Sequence, residues 1–401
     1  MKYFILFAFI VNSLCAIAQQ NKVPASPWNL DELYQKPDSY PTDSCSLDSY
    51  RSFFYEGISY KARDTKVFAY YKAPEGKMPD GGWPAVVCVH GGGGTAFPEW
   101  VQAWVDHGYA AIAMDLEGHL PKGDFPNREW HPDAGPARIT AFGDIELADR
   151  EQWFYHAVAD VIRANSLLRS FPEVNKQKIG IHGISWGAVI TSAVMGLDKR
   201  FSFAIPVYGC GYLYESVAPN FEKYFKVMTE DQLNAYKTKW DPSLYIPYTQ
   251  MPVMWYNGSN DGSFPLDIWK KSVALDTAQK YLCIPVTNEH GHIWNQPEIF
   301  AFADMIVKKG RAFIHAEAAY LQNNTATLRI KGNNKNTKAV LCYTADTGNW
   351  QNRKWQMLSA QVKNGLVTAK LPSMSTAFYF NITDDHIITL SSPYMEVERK
   401  K

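Results

Sequence analysis

The chain of 401 residues has no surplus of charge of either sign, because 40 Lys and Arg balance 40 Asp and Glu. A nucleic-acid-binding protein would show a basic surplus or a basic stripe, so the balance disfavours that class. It also disfavours an acidic disordered chain. Internal repeats, low-complexity tracts and apolar runs long enough to span a membrane are missing as well. The length then suits a globular protein of two or three domains.

Cysteine is scarce, with six residues. One of them, Cys15, lies in the N-terminal apolar segment, which leaves an odd number spread widely along the chain. Such a set is no disulfide framework, although a single bridge that spacing does not identify stays open. None of the cysteines has the paired spacing of a zinc site, so no metal centre is expected. The five are Cys45, Cys88, Cys210, Cys283 and Cys342.

Aromatic side chains are abundant, at 14% of the residues, within a hydrophobic share of 46%. That share is enough for a sizeable core. Aromatic rings also line pockets and sugar-binding surfaces, so composition alone does not decide what these side chains do.

The N-terminus has the pattern of a secretory signal peptide. A basic start at Lys2 precedes an apolar run over residues 4–11 and the small-x-small site Ala16-Ile17-Ala18. The run is shorter than the roughly 20 residues of a spanning helix. Lipid attachment at Cys15 is an alternative that Leu14 fits poorly. We predict a signal peptide over residues 1–18, an exported, soluble mature chain and an extended lead-in over residues 19–52.

Short apolar strands alternate with helices over residues 53–309. Continuous apolar runs predict strands that are covered on both faces, at residues 84–89, 109–114, 178–181, 204–208 and 253–256. Helical spacing follows at residues 100–107, 151–170 and 301–308. The alternation predicts a mostly parallel sheet with its active site at the carboxyl ends of the strands. Over residues 310–401, short alternating segments with polar turns predict a small all-β sandwich.

A nucleophile motif follows one of these strands. Gly183-Ile184-Ser185-Trp186-Gly187 fits Gly-x-Ser-x-Gly, and a helix is predicted to begin at Trp186. The serine of such a motif sits on a tight, strained turn, and its glycines leave room for neighbouring elements. Ser185 is therefore the candidate nucleophile, against the alternative of an ordinary glycine-rich turn.

A second glycine-rich segment, His90-Gly91-Gly92-Gly93-Gly94, follows the strand that ends at Val89. Its backbone can approach a substrate closely and direct N–H groups at a developing oxyanion. The expected donors are the N–H of Gly92 or Gly93 and that of Trp186. A phosphate-binding loop would carry a Gly-Lys-Ser/Thr ending that is missing here. His90 is expected to hold the loop in place.

In enzymes whose serine lies in a Gly-x-Ser-x-Gly motif of this kind, an acidic residue and then a histidine follow the serine along the chain. Asp261 comes directly after the strand 253–256, where an orienting carboxylate belongs, although a turn-forming aspartate is the alternative. Asp241 and Asp267 are weaker candidates, in an insertion and at a helix start.

Two histidines, His290 and His292, compete for the role of the base after a strand predicted over residues 283–286. A metal site at this pair would lack a third ligand nearby. A Ser–His–Asp set forms and hydrolyses an acyl-enzyme without a cofactor.

These motifs resemble the α/β-hydrolase superfamily, and more narrowly its dienelactone hydrolase, acetylxylan esterase and prolyl-oligopeptidase-like branch. The resemblance covers residues 53–308 and includes Asp115-Leu116-Glu117-Gly118, a loop near the active site in relatives. It favours His290 as the base, since relatives commonly carry this histidine about seven residues before a Pro-Glu helix start, here at Pro297. The segments Trp350–Trp355 and Ile382–Asp385 resemble the β-sandwich of secreted proteins named acetylxylan esterases or PhoPQ-activated pathogenicity-related proteins.

The resemblance implies an α/β-hydrolase fold for residues 53–309, followed by the β-sandwich. Residues 211–250 exceed a plain connection between strands and are expected to form a lid or a packed cap. Trp186, Trp294 and Tyr212 are expected to contact the substrate.

The implied function is a secreted serine hydrolase that cleaves carboxylic esters and removes acetyl groups from a small-molecule or polysaccharide carbohydrate ester. Two alternatives stay open at this point. The first is a serine peptidase of the prolyl-oligopeptidase type, and the second is a non-catalytic carbohydrate-binding surface protein.

Overall fold

The computed structural model describes residues 26–332 and 336–397. The predicted signal peptide and its cleavage site lie outside the described residues. Within them, the first sheet has nine strands in the order β1-β2-β3-β5-β4-β6-β7-β8-β9. Their bounds are β1 Ser39–Pro41, β2 Arg51–Glu56, β3 Lys66–Lys72, β4 Trp83–Val89, β5 Ala110–Met114, β6 Val174–Ile184, β7 Phe203–Val207, β8 Val253–Tyr256 and β9 Lys280–Cys283.

The six strands β4 to β9 run parallel to one another. Strands β1, β2 and β3 extend the sheet beyond β5 through antiparallel pairs. Strands β5, β7 and β8 are buried along their whole length, as the continuous apolar runs predict. The mostly parallel central sheet is therefore confirmed.

The described residues contain eight α-helices. They are α1 Leu30–Leu33, α2 Pro98–Asp106, α3 Trp153–Leu168, α4 Trp186–Leu197, α5 Pro219–Phe225, α6 Glu230–Ala235, α7 Leu266–Leu275 and α8 Pro297–Val307. Helices α2, α3, α4 and α8 lie close to predicted positions, whereas the short helix α1 lies within residues 19–52, which the sequence predicts to be extended. Successive residues of a strand face opposite sides of a sheet. On β6, His182 packs on the Trp100 ring of α2, whereas a Cβ at Gly183 would overlap Thr191 of α4. The sheet is thus sandwiched between helical layers.

The predicted strand over residues 283–286 is wrong in its position, because β9 ends at Cys283. Pro285 has no N–H to donate to a neighbouring strand. The Ile284 N–H instead donates to the Ser391 hydroxyl at 2.7 Å. The chain leaves the sheet at this point and continues towards the two candidate histidines.

The predicted all-β C-terminal part is confirmed as an antiparallel sheet, ordered β10-β12-β15-β14-β13-β16-β17, with β11 beside β12 and β18 beside β16. Strand β14 pairs with β13 through residues 356–360 and with β15 through residues 361–363, so it passes from one half of the sheet to the other. The bounds are β10 His315–Ala316, β11 Tyr320–Gln322, β12 Thr325–Lys331, β13 Lys338–Thr344, β14 Gln356–Lys363, β15 Leu366–Lys370, β16 Ala377–Thr383, β17 Thr389–Ser391 and β18 Met395–Glu396.

The second sheet contacts the first at the end of β9. Asn381 donates its side-chain amide to the Ile284 carbonyl at 3.1 Å, and its amide oxygen accepts from the Ser391 hydroxyl at 2.6 Å. The Thr389 N–H donates to the carboxylate of Glu298, at the start of α8, at 3.2 Å. The backbone groups of Ile284 are thus bound by side chains of the second sheet.

Residues 211–250 form a packed segment with α5, α6 and short turns. Phe221, Phe225, Tyr236 and Trp240 are all buried. Asp241, a weaker acid candidate, anchors this segment, since its carboxylate accepts from the Tyr236 hydroxyl at 2.8 Å and from backbone N–H groups. The segment is therefore a cap with its own buried ring cluster.

All five cysteines of the described residues are free. Cys88 lies on β4, Cys210 follows β7, Cys283 ends β9 and Cys342 lies on β13, and all four are buried. Burial raises the pKa of each of these four thiols. No helix of the described residues has the length and apolar character to cross a membrane.

Candidate active site

Ser185 sits on the turn between β6 and α4, with φ 57° and ψ −119°. These angles lie outside the regions that L-residues usually occupy, so the turn holds strain. Gly187 lets this turn approach β4, because a Cβ there would overlap the Val89 carbonyl oxygen. Ser185 is half-buried, and its hydroxyl projects beyond the carboxyl end of β6.

His290 and Asp261 lie in line with this hydroxyl. The Nε2 atom of His290 is 2.9 Å from Ser185 Oγ, and its Nδ1 atom is 2.8 Å from Asp261 Oδ2. The other carboxylate oxygen of Asp261 accepts from the N–H groups of Ser263 and Phe264 at 2.9 and 2.7 Å. The carboxylate is thus fixed by its own turn, and it orients the imidazole towards the serine.

A tyrosine that the sequence does not single out supports the imidazole. The Tyr208 ring lies 4.6 Å from the His290 ring, and its hydroxyl donates to the Gly291 carbonyl. Tyr208 follows β7 directly and is buried. The loop that carries His290 is therefore tied to the centre of the sheet.

His292 points elsewhere. It packs against Gly91 and Gly94 and lies 4.8 Å from the Phe97 ring. Burial lowers its pKa to about 4, so the imidazole is neutral near pH 7. The structure brings His290, and not His292, to Ser185.

The glycine loop after β4 lies against the serine turn, since a Cβ at Gly91 would come 2.9 Å from Ser185 Cβ. His90 holds this loop as expected, because Nδ1 donates to the Gly91 carbonyl at 2.7 Å and Nε2 accepts from the Leu116 N–H at 2.8 Å. The Gly92 N–H has no partner among the described residues. The Trp186 N–H is the first of α4, where no intrahelical acceptor exists.

Gly93, the other expected donor, is already engaged. Its N–H donates to both carboxylate oxygens of Glu117, at 3.2 and 3.3 Å. On the other side of the loop, Arg128 donates to the carbonyls of Gly93 and Gly94 at 2.6 and 2.9 Å. Gly92 and Trp186 are therefore the better-placed pair of donors.

Glu117 is buried and also binds Arg138, whose Nε lies 2.6 Å from its carboxylate. The Arg138 guanidinium lies 5.5 Å from the centroid of the Trp186 ring. Arg138 lies on a segment without a recognisable motif. The Asp-x-x-Gly turn at Asp115 is the signal in the sequence that points to the position of Glu117.

Aromatic rings enclose one side of the site. The Trp186 ring lies 5.6 Å from Phe221 of the cap, which lies 5.3 Å from Phe264. Phe264 in turn stacks 6.0 Å from the His290 ring. Phe221 and Phe264 are buried, so these rings form a closed wall that joins the neighbour of the serine to the neighbour of the base.

The other two expected substrate contacts lie apart from this wall. Trp294 stacks 5.4 Å from the Trp100 ring beneath α2. Tyr212 lies beside Tyr214, with the Lys271 amine 4.3 Å from its ring. Asp267 lies in the first turn of α7. None of these side chains contacts Ser185, His290 or Asp261 in the described structure.

Within the described residues, no group of three or more His, Cys, Asp or Glu side chains is arranged to hold a metal ion. The chemistry available at the site is that of a serine beside an imidazole and a carboxylate, with two backbone N–H groups in reach of an oxyanion.

Parts of the chain are similar to known proteins. Residues 36–230 match the family model of acetyl xylan esterase (AXE1). The match includes Ser185 and the glycine loop and ends before Asp261. The acetyl esterase Axe7A of Xylanibacter ruminicola is 24% identical in an alignment of 284 residues, and the match covers 65% of this chain and 61% of that protein. The chain thus spans about three-fifths of the length of this curated relative.

Two solved structures share the fold. An acetyl xylan esterase from Paenibacillus sp. R4 has a TM-score of 0.56 at 20% identity, over 72% of this chain and 98% of that one. Acetyl xylan esterase 1 from Thermoanaerobacterium sp. JW/SL YS485 has a TM-score of 0.51 at 16% identity, over 72% and 94% of the two chains. At these identities the likeness establishes the fold.

Proposed function

We propose that this chain is an exported serine esterase that removes acetyl groups from carbohydrate. The proposal is supported by the match of residues 36–230 to the acetyl xylan esterase family model and by the fold shared with two acetyl xylan esterases. The family match and the curated relative indicate a carboxylic ester hydrolase. The observation that carries the mechanism is the continuous hydrogen-bonded line from Ser185 through His290 to Asp261.

In the proposed reaction, His290 Nε2 accepts the proton of Ser185 as Oγ attacks the ester carbonyl carbon. Asp261 holds the imidazole in the tautomer that can accept this proton. The N–H groups of Gly92 and Trp186 stabilise the oxyanion of the tetrahedral intermediate. His290 then gives its proton to the leaving alcohol, and water repeats the sequence to release acetate.

The aromatic wall supports a short acyl group. Trp186, Phe221 and Phe264 are joined ring to ring beside the serine and the base, and two of the three are buried. A methyl group needs little space against such a wall, whereas a longer acyl chain would have to displace a packed ring.

Export rests on the N-terminal sequence alone. A host that secretes the full chain should release a protein whose first residue is Gln19, as N-terminal sequencing would read. A mature protein that still begins at Met1, or that begins at a lipid-modified Cys15, would contradict the proposed cleavage after Ala18.

The central test is active-site labelling. The mature protein should react with a fluorophosphonate probe, and Ser185→Ala should abolish the labelling. Acetylated xylan and p-nitrophenyl acetate should be hydrolysed, while aminoacyl-nitroanilides should not. An unlabelled wild type would rule out the serine mechanism, and preferential turnover of the nitroanilides would identify a peptidase instead.

A further inference from the structure

We infer that Phe125 is a stacking platform for a sugar ring of the substrate, on the alcohol side of the scissile ester. The inference rests on the proposed esterase function and extends it to a carbohydrate subsite.

Phe125 is the most exposed aromatic side chain among the described residues, at 62% of its full exposure. Its ring packs directly on the glycine loop, since a Cβ at Gly93 would come 2.9 Å from two of its carbons. Gly93 is two residues from Gly91, which touches Ser185. A large apolar ring is thus left in solvent beside the glycine loop of the site, although its exposure has a cost in free energy.

The loop that carries Phe125, residues 119–131, holds the ring in place. Leu120 and Glu129 pair through a backbone hydrogen bond of 2.8 Å, and His119 forms an isolated bridge with Trp130. Arg128 fastens the same loop to the Gly93 and Gly94 carbonyls. The ring is therefore positioned before any ligand arrives, which lowers the entropic cost of binding.

The position of Phe125 relative to the aromatic wall indicates which part of the substrate it meets. The proposed function places the acyl group against Trp186, Phe221 and Phe264, and none of these rings is in contact with the Phe125 ring. The part of the ester that extends past these rings into solvent is then the alcohol. In a carbohydrate ester that part is a sugar ring and its neighbours in the chain.

The chemistry of this surface suits a neutral sugar. The face of an aromatic ring is negative, and it attracts the polarised C–H groups on one face of a pyranose. On the same loop, Lys122 and Glu129 form an exposed ion pair at 3.4 Å, and both side chains can exchange hydrogen bonds with sugar hydroxyls. A flat apolar ring flanked by polar groups is a common composition for a ligand subsite.

The test compares two acetate esters that differ only in the alcohol. For Phe125→Ala, the ratio of kcat/KM for an acetylated xylo-oligosaccharide to kcat/KM for ethyl acetate should fall about tenfold, a change of about 1.4 kcal/mol. The loss should lie in KM rather than in kcat. Phe125→Trp should restore the ratio, because a ring is present again.

A direct binding measurement separates contact with the sugar from support of the loop. In a Ser185→Ala background, calorimetry should show that Phe125→Ala weakens binding of the acetylated oligosaccharide about tenfold. The matched control is Tyr320→Ala, which removes a half-exposed aromatic ring from β11 of the second sheet. This control should bind as the parent does.

Three outcomes would overturn the inference. The first is an equal loss on both esters, which would assign Phe125 to support of the glycine loop. The second is no change of the ratio in Phe125→Ala while the wild type hydrolyses both esters, which leaves the esterase function intact. The third is a wild type that hydrolyses ethyl acetate and ignores the oligosaccharide, which removes the carbohydrate function and the platform together.

Discussion

His290 and His292 stand two residues apart, yet they meet different surroundings. His290 lies between Ser185 and Asp261, whereas His292 is packed under the glycine loop and stays neutral because burial lowers its pKa to about 4. Only the first can pass a proton between the serine and a leaving group. Both sit in one short polar segment without helical or strand periodicity, so spacing alone could not separate them.

We therefore expect His290→Ala to lower kcat by three orders of magnitude or more, since the serine would lose its base. His292→Ala is the matched control. It removes the same side chain from the same loop and should keep most of the turnover, with a modest loss from looser packing of Gly91 and Gly94. Steady-state kinetics on p-nitrophenyl acetate measure both. If His292→Ala proved the more damaging change, the role of the base would have to be reassigned.

Arg138 and Tyr208 could not be found from the sequence, because each acts through contacts between segments far apart in the chain. The Asp115–Gly118 turn indicates the position of Glu117 but not its contact with Gly93, which is 24 positions away. Ser185, Asp261 and the glycine loop are different. Each follows a strand, and the carboxyl ends of parallel strands meet at one edge of a sheet.

At the scale of elements, the cap over residues 211–250 combines two roles that the sequence leaves open. It is a packed ring cluster, and through Phe221 it also touches the Trp186 ring at 5.6 Å. Its length and aromatic content predict an insertion but not which ring faces the site. That choice depends on how α5 is rotated against the Trp186 and Phe264 rings.

Phe221→Ala should open the aromatic wall and shift acyl preference towards longer chains. We expect the ratio of kcat/KM for p-nitrophenyl butyrate to that for the acetate to rise about tenfold or more, because the acyl chain gains the volume of the ring. Phe225→Ala is the control, since Phe225 is buried on the same helix but packs on Phe142 and Tyr236.

Both variants of α5 should lose about 3–5 kcal/mol of unfolding free energy, as buried phenylalanines do when truncated. Only Phe221→Ala should change the preference for the length of the acyl chain. An equal shift in both variants would mean that acyl selection depends on the order of the whole cap rather than on the Phe221 ring.

Helix α3 carries a buried carboxyl group that makes stability depend on pH. Burial raises the pKa of Asp160 to about 7, against the lowering effect of Arg163. The unfolded chain releases this proton near pH 4, so the group favours the folded state fully below that pH. This contribution of Asp160 to the free energy of unfolding declines as the pH rises from about 4 to about 7, and above that pH it is lost.

Asp160→Asn should remove this decline, since its side chain stays neutral. Urea unfolding at pH 5 and pH 8 should show that the stability of the variant relative to the wild type increases by about 3 kcal/mol between these two pH values. Parallel stability curves for the two proteins would show that Asp160 does not retain its proton in the folded state.

At the scale of the whole molecule, the two sheets meet where the base loop begins. The sequence predicts both architectures, because their hydrophobic periods differ on either side of residue 310. It does not predict how they dock. That depends on single polar contacts, chiefly Ser391 and Asn381 with the backbone of Ile284.

Ser391→Ala should leave the Ile284 N–H buried without an acceptor, at a cost of about 1–3 kcal/mol. Ile284 opens the segment that leads to His290, so we also expect a fall in kcat that exceeds any change in KM. Thermal unfolding and steady-state kinetics measure the two effects. Ser359→Ala, at an exposed position of β14, is the control and should alter neither. A wild-type kcat in Ser391→Ala would show that the second sheet does not influence the base.

Alkylation of the buried free thiols can report on how firmly the two sheets are docked. Cys88, Cys210 and Cys283 belong to the first sheet and its connections, and Cys342 to the second. Each is protonated and shielded in the folded chain, so an alkylating reagent can reach it only through transient opening of its surroundings. The order in which the four cysteines become alkylated would therefore show whether the first sheet and the second sheet open together, as one cooperative unit, or separately.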